Sequence, residues 1–534
     1  MHQKPSKSRH SDALAGAAIL TLSALVVKVI GLLYRIPMLD RLGTEGMGYF
    51  NTALELYALL CALSTAGLPV AMSRMISEQS SLGHYNQVRR TYKTAKVIFL
   101  LLGVIGTLLM TIFCRELAAF QKQPDAWAAI GTLGPCVLLI CLMSTYRGFF
   151  QGQGNMMPTS ISQVLEALCK LIVGMIAAIV MLKMTSSIPL AAAGAILGVT
   201  VSCGLSAVYL ARCFRKHTAT MPKSQDEADS YGRTAKNLLL IAIPITIGSA
   251  GLSILTMLET KIYMGQLLGL GYTQDQADTM KGIYDFSKTV FNMPCAFITP
   301  ITISIIPAIA SQLSLKRRKE AKATEESAVR IMGLISFPCA VGLAVLAQPV
   351  MALLGGYTGE KLELATTLMT ILGICVVFNS LVLLTNAMLQ AHGHVILPVI
   401  HMFIGGALKL VAVYILAGNP EIGILGGPIG SLLCHVTITV LNLITMRHCI
   451  RHTPAVLKNL VRPLVAALAM GIAAYGCWYG LQMFTSSRIV LCGGPVAVGA
   501  VVYLIAAIKC RVITRQDCLM LPKGEKIAKF LHLK

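Results

Sequence analysis

Acidic residues are scarce in this chain. Asp and Glu number 23 in 534 residues against 45 Lys and Arg, and charged residues make up only 13% of the total. A soluble protein of this length would carry about a quarter charged residues and divide into several domains. Paired cysteines are missing as well: the 16 Cys are scattered singly and no C-x-x-C occurs, so neither a zinc site nor a redox motif is signalled. Those cysteines read as small apolar packing residues. There is no N-x-[ST], no H-E-x-x-H, no P-loop and no nucleophile elbow. "GQGNMM" (152–157) lacks the third glycine and the preceding strand of a dinucleotide fingerprint. "HGH" (392–394) offers two histidines with no acid or cysteine beside them, a poor metal site. The expectation is no catalytic residue, no metal and no cofactor: not an enzyme.

What the chain does have is apolar length. Hydrophobic residues make up 55%, and the mean hydropathy is +0.71. Runs of roughly 20 apolar residues recur from end to end, each long enough for a hydrocarbon core of about 30 Å. Such runs satisfy their own backbone only as helices, and the alternating pattern of a transmembrane barrel is absent. The chain reads as an all-α polytopic membrane protein. Its spans lie near 13–36, 48–72, 94–114, 126–149, 159–183, 188–212, 236–262, 283–309, 329–354, 364–388, 395–417, 422–446, 460–483 and 487–509. The first run is too long, and ends in "YRIP", so it is read as a span and not as a cleavable leader.

The formal net charge of +22 would suggest nucleic acid in a soluble protein. Here its placement carries topology. With both termini cytoplasmic, roughly 32 Lys and Arg fall in the tails and even-numbered connections, and about eight in the outward ones. The inner clusters are "RRTYK" (89–93), "RCFRK" (212–216) and "KRRKEAK" (316–322). They suit anionic lipid headgroups; no nucleic-acid partner is expected. The connections are short, so no soluble catalytic domain is appended.

The two halves repeat weakly. "FQGQGN" (150–155) resembles "LQAHGH" (389–394), and at that one offset Lys170 falls on Lys409 and Leu171 on Leu410. "GLPVAMS" and "IIPAIAS" correspond at nearly the same offset, through Pro69 and Pro307. Six spans separate the copies, which preserves orientation and predicts two parallel six-helix lobes, a plan common among transporters. The expected domains are 1–232, 233–458 and 459–534, the last holding spans 13 and 14. "GAILG" (194–198) predicts close helix packing.

Ionisable residues inside spans are costly and are candidates for function. Lys28 and Arg35 lie seven residues apart on span 1, on one face and roughly 10 Å apart, a stripe suited to a pyrophosphate. Glu166 and Lys170 stand at i, i+4 on span 5, where an intrahelical ion pair is the plainer reading. Lys409 has no such acid on span 11. Asp285 and Lys288 are at i, i+3 at the start of span 8. Glu259, with Lys261, ends span 7. Glu55 on span 2 is isolated, and is read either as a coupling acid for protons or cations or as a partner of Lys28 or Arg35.

"KVIGLLYRIPM", "STAGLPVAMSRMISE", "YRGFFQGQGNMMPTSISQVLEALCKL" and "GIYDFSKTVFNMP" resemble the stage V sporulation protein B family. That family belongs to the multidrug/oligosaccharidyl-lipid/polysaccharide exporter superfamily, with the MurJ-type lipid II flippases. The resemblance covers essentially the whole chain. It implies a MATE-like fold of two lobes in the bacterial cytoplasmic membrane, opening alternately to either side. It also implies a lipid-linked oligosaccharide on undecaprenyl pyrophosphate as substrate, turned from inner to outer leaflet, and cell-wall synthesis proteins as partners. Lys28, Arg35 and Lys288 stand close to cavity cations of MurJ-type relatives, and Arg74 is a looser match; Lys for Arg loses bidentate phosphate geometry. Spans 13 and 14 form a groove for the lipid tail in such relatives. A drug/cation antiporter of the same superfamily is the alternative.

Overall fold

The computed structural model describes residues 7–65, 67–222, 224–314, 316–394, 396–450, 454–510 and 512, with some side chains inside these helices, those of Lys28 and Arg35 among them, outside the description. The described residues are helical and form no strand. The first half contains α1 (Lys7–Thr65), α2 (Gly67–Ser81), α3 (Tyr85–Ile112), α4 (Cys114–Phe120), α5 (Trp127–Gly152), α6 (Met157–Thr185), α7 (Ile188–Ala219) and α8 (Tyr231–Gly269). It is followed by α9 (Gln274–Ser314), α10 (Arg318–Val345), α11 (Ala347–Leu354), α12 (Gly359–Ala391), α13 (Ile396–Ala417), α14 (Gly426–Cys449), α15 (Val456–Gln482) and α16 (Arg488–Lys509).

Among the described residues, 11 helical segments are long and apolar enough to cross a membrane. Eleven of the fourteen spans expected from the sequence coincide with these segments. Span 1 lies on α1, whose backbone leaves the helical region at Gly43, and span 2 runs from α1 into α2. The first part of α1, α8 and α9 stand outside those 11 segments. This is a multi-pass membrane protein.

Two compact units emerge, one of residues 1–268 with 272–282, the other of residues 269–271 with 283–534. α8 up to residue 268 and the first turns of α9 thus group with the first unit. The physical reason is polar: Thr260 on α8 and Lys281 on α9 both reach Glu55 on α1.

The expected repeat is present within each unit. In the first, α6 packs on α7, α3 on α5 and α5 on α7; in the second, α13 packs on α14, α10 on α12 and α12 on α14. The elbows match in detail. After α5, the backbone N–H groups of Gln153, Gly154 and Asn155 donate to the carbonyls of Phe149, Gln151 and Phe150. After α12, His392, Gly393 and His394 donate to Met388, Gln390 and Leu389 in the same order. Gly154 (φ 76°) and Gly393 (φ 87°) supply the left-handed residue that ends each helix this way. Close packing of α6 on α7 follows the "GAILG" stripe: a methyl group on Gly198 would overlap the Gly174 backbone.

α15 and α16 pair with each other and pack on α10 and α11. Tyr503 Oη donates to the Leu334 carbonyl at 2.7 Å, tying α16 to α10.

Candidate functional site

In the first unit, α1 and α8 and the start of α9 enclose a polar cluster. Glu55 accepts from Thr260 Oγ1 at 2.8 Å and lies 4.0 Å from Lys281 Nζ. The Lys281 side chain is fully buried. One turn earlier, buried Asp278 accepts from Gln123 Nε2 at 2.7 Å and Gln274 Nε2 at 3.0 Å. Gln123 also pairs with Thr52 on α1. The second oxygen of Asp278, Oδ2, has no hydrogen-bond partner. Asp278 precedes span 8, and burial pushes its carboxyl up to about 6, against the pull of Gln123, Gln274 and Lys281. Glu259, on the same turn of α8 as Thr260, is buried.

Glu55 is left by the sequence either as a coupling acid or as a partner of Lys28 or Arg35. Its described partners are Thr260 and Lys281, while Lys28 and Arg35 lie outside the described side chains. By hydropathy alone Lys281 falls in the connection before span 8. A signal was available: Gln274, Asp278, Lys281, Asp285 and Lys288 alternate steps of four and three, which is one helical face. The helix simply begins two turns before the apolar run does.

A second cluster joins α5 and α6. Arg147 Nη2 donates to Glu166 Oε2 at 3.0 Å, and Arg147 Nε donates to Ser162 Oγ at 3.0 Å. Lys170 Nζ lies 5.3 Å from the centre of the Tyr34 ring and 5.5 Å from that of Phe50, within cation–π range. Arg74 on α2 is exposed.

In the second unit, Lys288 Nζ meets Asp285 at 2.7 Å, as the i, i+3 spacing predicts, and lies 4.7 Å from the centre of the Tyr284 ring. Lys409 on α13 runs its stem along α14, where a Cβ on Gly430 would meet its Cγ at 3.5 Å. Half a turn beyond Lys288, α9 contributes Val290, Met293 and Pro294 to a cavity of about 610 Å³. Its other walls are α10, α11, α15 and α16, with Gly342, Met470 and Gly499 among the lining. The lining is almost entirely apolar. Such a cavity takes a hydrocarbon chain and disfavours a charged group. Among the described residues, no cluster of three or more His, Cys, Asp or Glu could hold a metal.

Comparison with known proteins agrees with this plan. The family model "Polysaccharide biosynthesis protein" matches residues 13–313, and the MatE model matches residues 282–415. "Stage V sporulation protein B" of Bacillus subtilis (strain 168) is 25% identical over 514 residues, covering 95% of this chain and 97% of its own. "Lipid II flippase MurJ" of the same organism is 23% identical over 519 residues, covering 93% of each. A solved structure of "Lipid II flippase MurJ, inward closed conformation" superimposes with a TM-score of 0.68 at 14% identity, covering 92% of this chain and 99% of that one. The chain belongs to the polysaccharide biosynthesis protein family, within the multidrug/oligosaccharidyl-lipid/polysaccharide exporter superfamily of membrane transporters.

Proposed function

We propose that this transporter is a flippase that carries an undecaprenyl-pyrophosphate-linked cell-wall precursor from the inner to the outer leaflet by alternating access. The observation that carries the reading is the apolar cavity walled by α15 and α16. A drug carrier has no need of two helices beyond the twelve-helix repeat to wall a greasy slot, whereas a polyprenyl tail must be kept out of water throughout transport. The cation Lys288 on the helix that lines the slot supports a substrate with an anionic head next to an apolar tail.

In this reading Lys28 and Arg35 hold the pyrophosphate, with Lys288, Lys409 and Arg74 as further contacts, and charge attraction to the diphosphate is retained even where Lys replaces Arg. The excess of Lys and Arg in alternate connections supports cytoplasmic termini. The MatE match over 282–415 favours the second reading, a drug/cation antiporter.

The test is delivery of labelled precursor to the outer face in cells depleted of their own lipid II flippase. The wild-type chain is expected to restore it, and Lys28→Ala with Arg35→Ala to abolish it. Restored delivery by the double variant removes the role given to span 1. Failure of the wild type together with active efflux of a cationic dye moves the assignment to the antiporter.

A further inference from the structure

The first two turns of α9 belong to the first unit, and the chain leaves that unit at Gly282. They are seated on α1 by backbone approach. A methyl group on Gly282 would overlap the Thr44 carbonyl, and one on Gly48 would meet the Asp278 carbonyl oxygen at 3.2 Å. No side chain separates the two helices there. The contact therefore exists closely docked or not at all, because even a small separation opens a gap with no atoms to fill it.

Asp278 sits at the centre of this contact with its side chain inaccessible to solvent. One carboxyl oxygen accepts hydrogen bonds from Gln123 and Gln274, and the other has none. An ionised carboxylate in that position leaves half its charge uncompensated, whereas a neutral acid does not. Of the charged and titratable groups here, Glu45 on α1 and Lys281 on α9 act on it directly, Tyr49 on α1 feels Glu45, Asp278 and Asp125, and Glu55 on α1 reaches Lys281. Lys281 is shared with Glu55, 4.0 Å away. Tyr49 Oη donates to Glu45 Oε1 at 2.7 Å.

We infer that docking of the first two turns of α9 onto α1 takes up a proton at Asp278 from the outer solution, and that undocking returns it. The segment is thus a proton-linked clasp, and the linkage holds whichever substrate is carried. In the docked state the carboxyl is neutral, and Gln123 and Gln274 still donate to Oδ1. Once undocked, water reaches both oxygens and the acid ionises at its ordinary value. Acid outside the cell therefore closes the clasp, and neutral solution loosens it. The sign follows from linkage: a carboxyl that holds its proton more tightly when docked stabilises docking as pH falls.

The test is amide hydrogen exchange of residues 274–282 in the full-length protein in lipid nanodiscs, expressed as protection factors between pH 8 and pH 5. With a docked value of about 6 and an undocked value of 3.8, protection should rise about tenfold across that interval. Asp278→Asn, which mimics the neutral acid, should hold protection high and flat. Gln123→Ala removes a donor that favours the carboxylate, so the midpoint should move to higher pH. Wild-type protection that is flat with pH overturns the inference without any variant. So does a pH dependence that survives in Asp278→Asn, or a midpoint that Gln123→Ala leaves in place.

Discussion

Arg147 on α5 and Glu166 on α6 are joined at 3.0 Å, with side chains only 15% and 26% exposed. The pair lies inside a helical lobe, so its loss is felt more than that of a surface pair. Glu166→Ala strands the guanidinium with Ser162 alone, and a destabilisation on the order of 1–2 kcal/mol is expected. Thermal unfolding of the purified protein measures it. Arg147→Ala with Glu166→Ala should cost less than the sum of the two single changes; strict additivity would mean the pair is not coupled.

Gly198 on α7 faces Gly174 on α6 with no room for a methyl group. Gly198→Ala should force the helices apart and lower stability by about 1–3 kcal/mol, despite alanine's better helix propensity. A melting temperature equal to or above wild type would show that the interface is looser than described.

Asp226 lies in the connection before α8. Its two carboxyl oxygens accept from the backbone N–H groups of Asn86 and Gln87, at 3.0 and 2.9 Å, at the start of α3. Burial acts to raise its carboxyl, but hydrogen bonds from Ser224, Asn86 and Gln87 win, and the net shift is downward from 3.8. A depressed acid contributes stability that is present above its ordinary value and lost as pH falls through the folded one. Asp226→Ala should therefore cost about 1 kcal/mol at neutral pH, and the gap to wild type should close below about pH 3.8. A gap that is constant with pH would assign the effect to packing.

Gly342 on α10 lines the apolar cavity of the second unit, and a Cβ there would meet only Met470, at 3.8 Å. Gly342→Phe should fill the slot, leave thermal stability within about 1 kcal/mol of wild type, and reduce precursor delivery at least tenfold. Unchanged delivery by a folded Gly342→Phe protein would mean that the tail travels elsewhere.

Much of the fold was legible because lipid leaves few choices. Apolar run length set the helices, and the "FQGQGN" and "LQAHGH" elbows set the repeat. The place of the start of α9 in the first unit was not legible. Lys281 and Asp278 precede the apolar run, so hydropathy assigned them to a connection, although their spacing continues the face of Asp285 and Lys288. The partner of Glu166 was hidden for another reason. Lys170 is nearer in sequence, but Arg147 lies 19 residues back on an adjacent helix, and only tertiary packing brings the two together. The same holds for Glu55 and Thr260, 205 residues apart.

The two elbows have diverged in letters while keeping their form. Of the six residues in each, only a glutamine and a glycine coincide, yet three main-chain donors reach the same three acceptors at both places. The same three offsets close α2 at Leu82, Gly83 and His84, so this turn asks little of its side chains beyond one residue able to bend to the left.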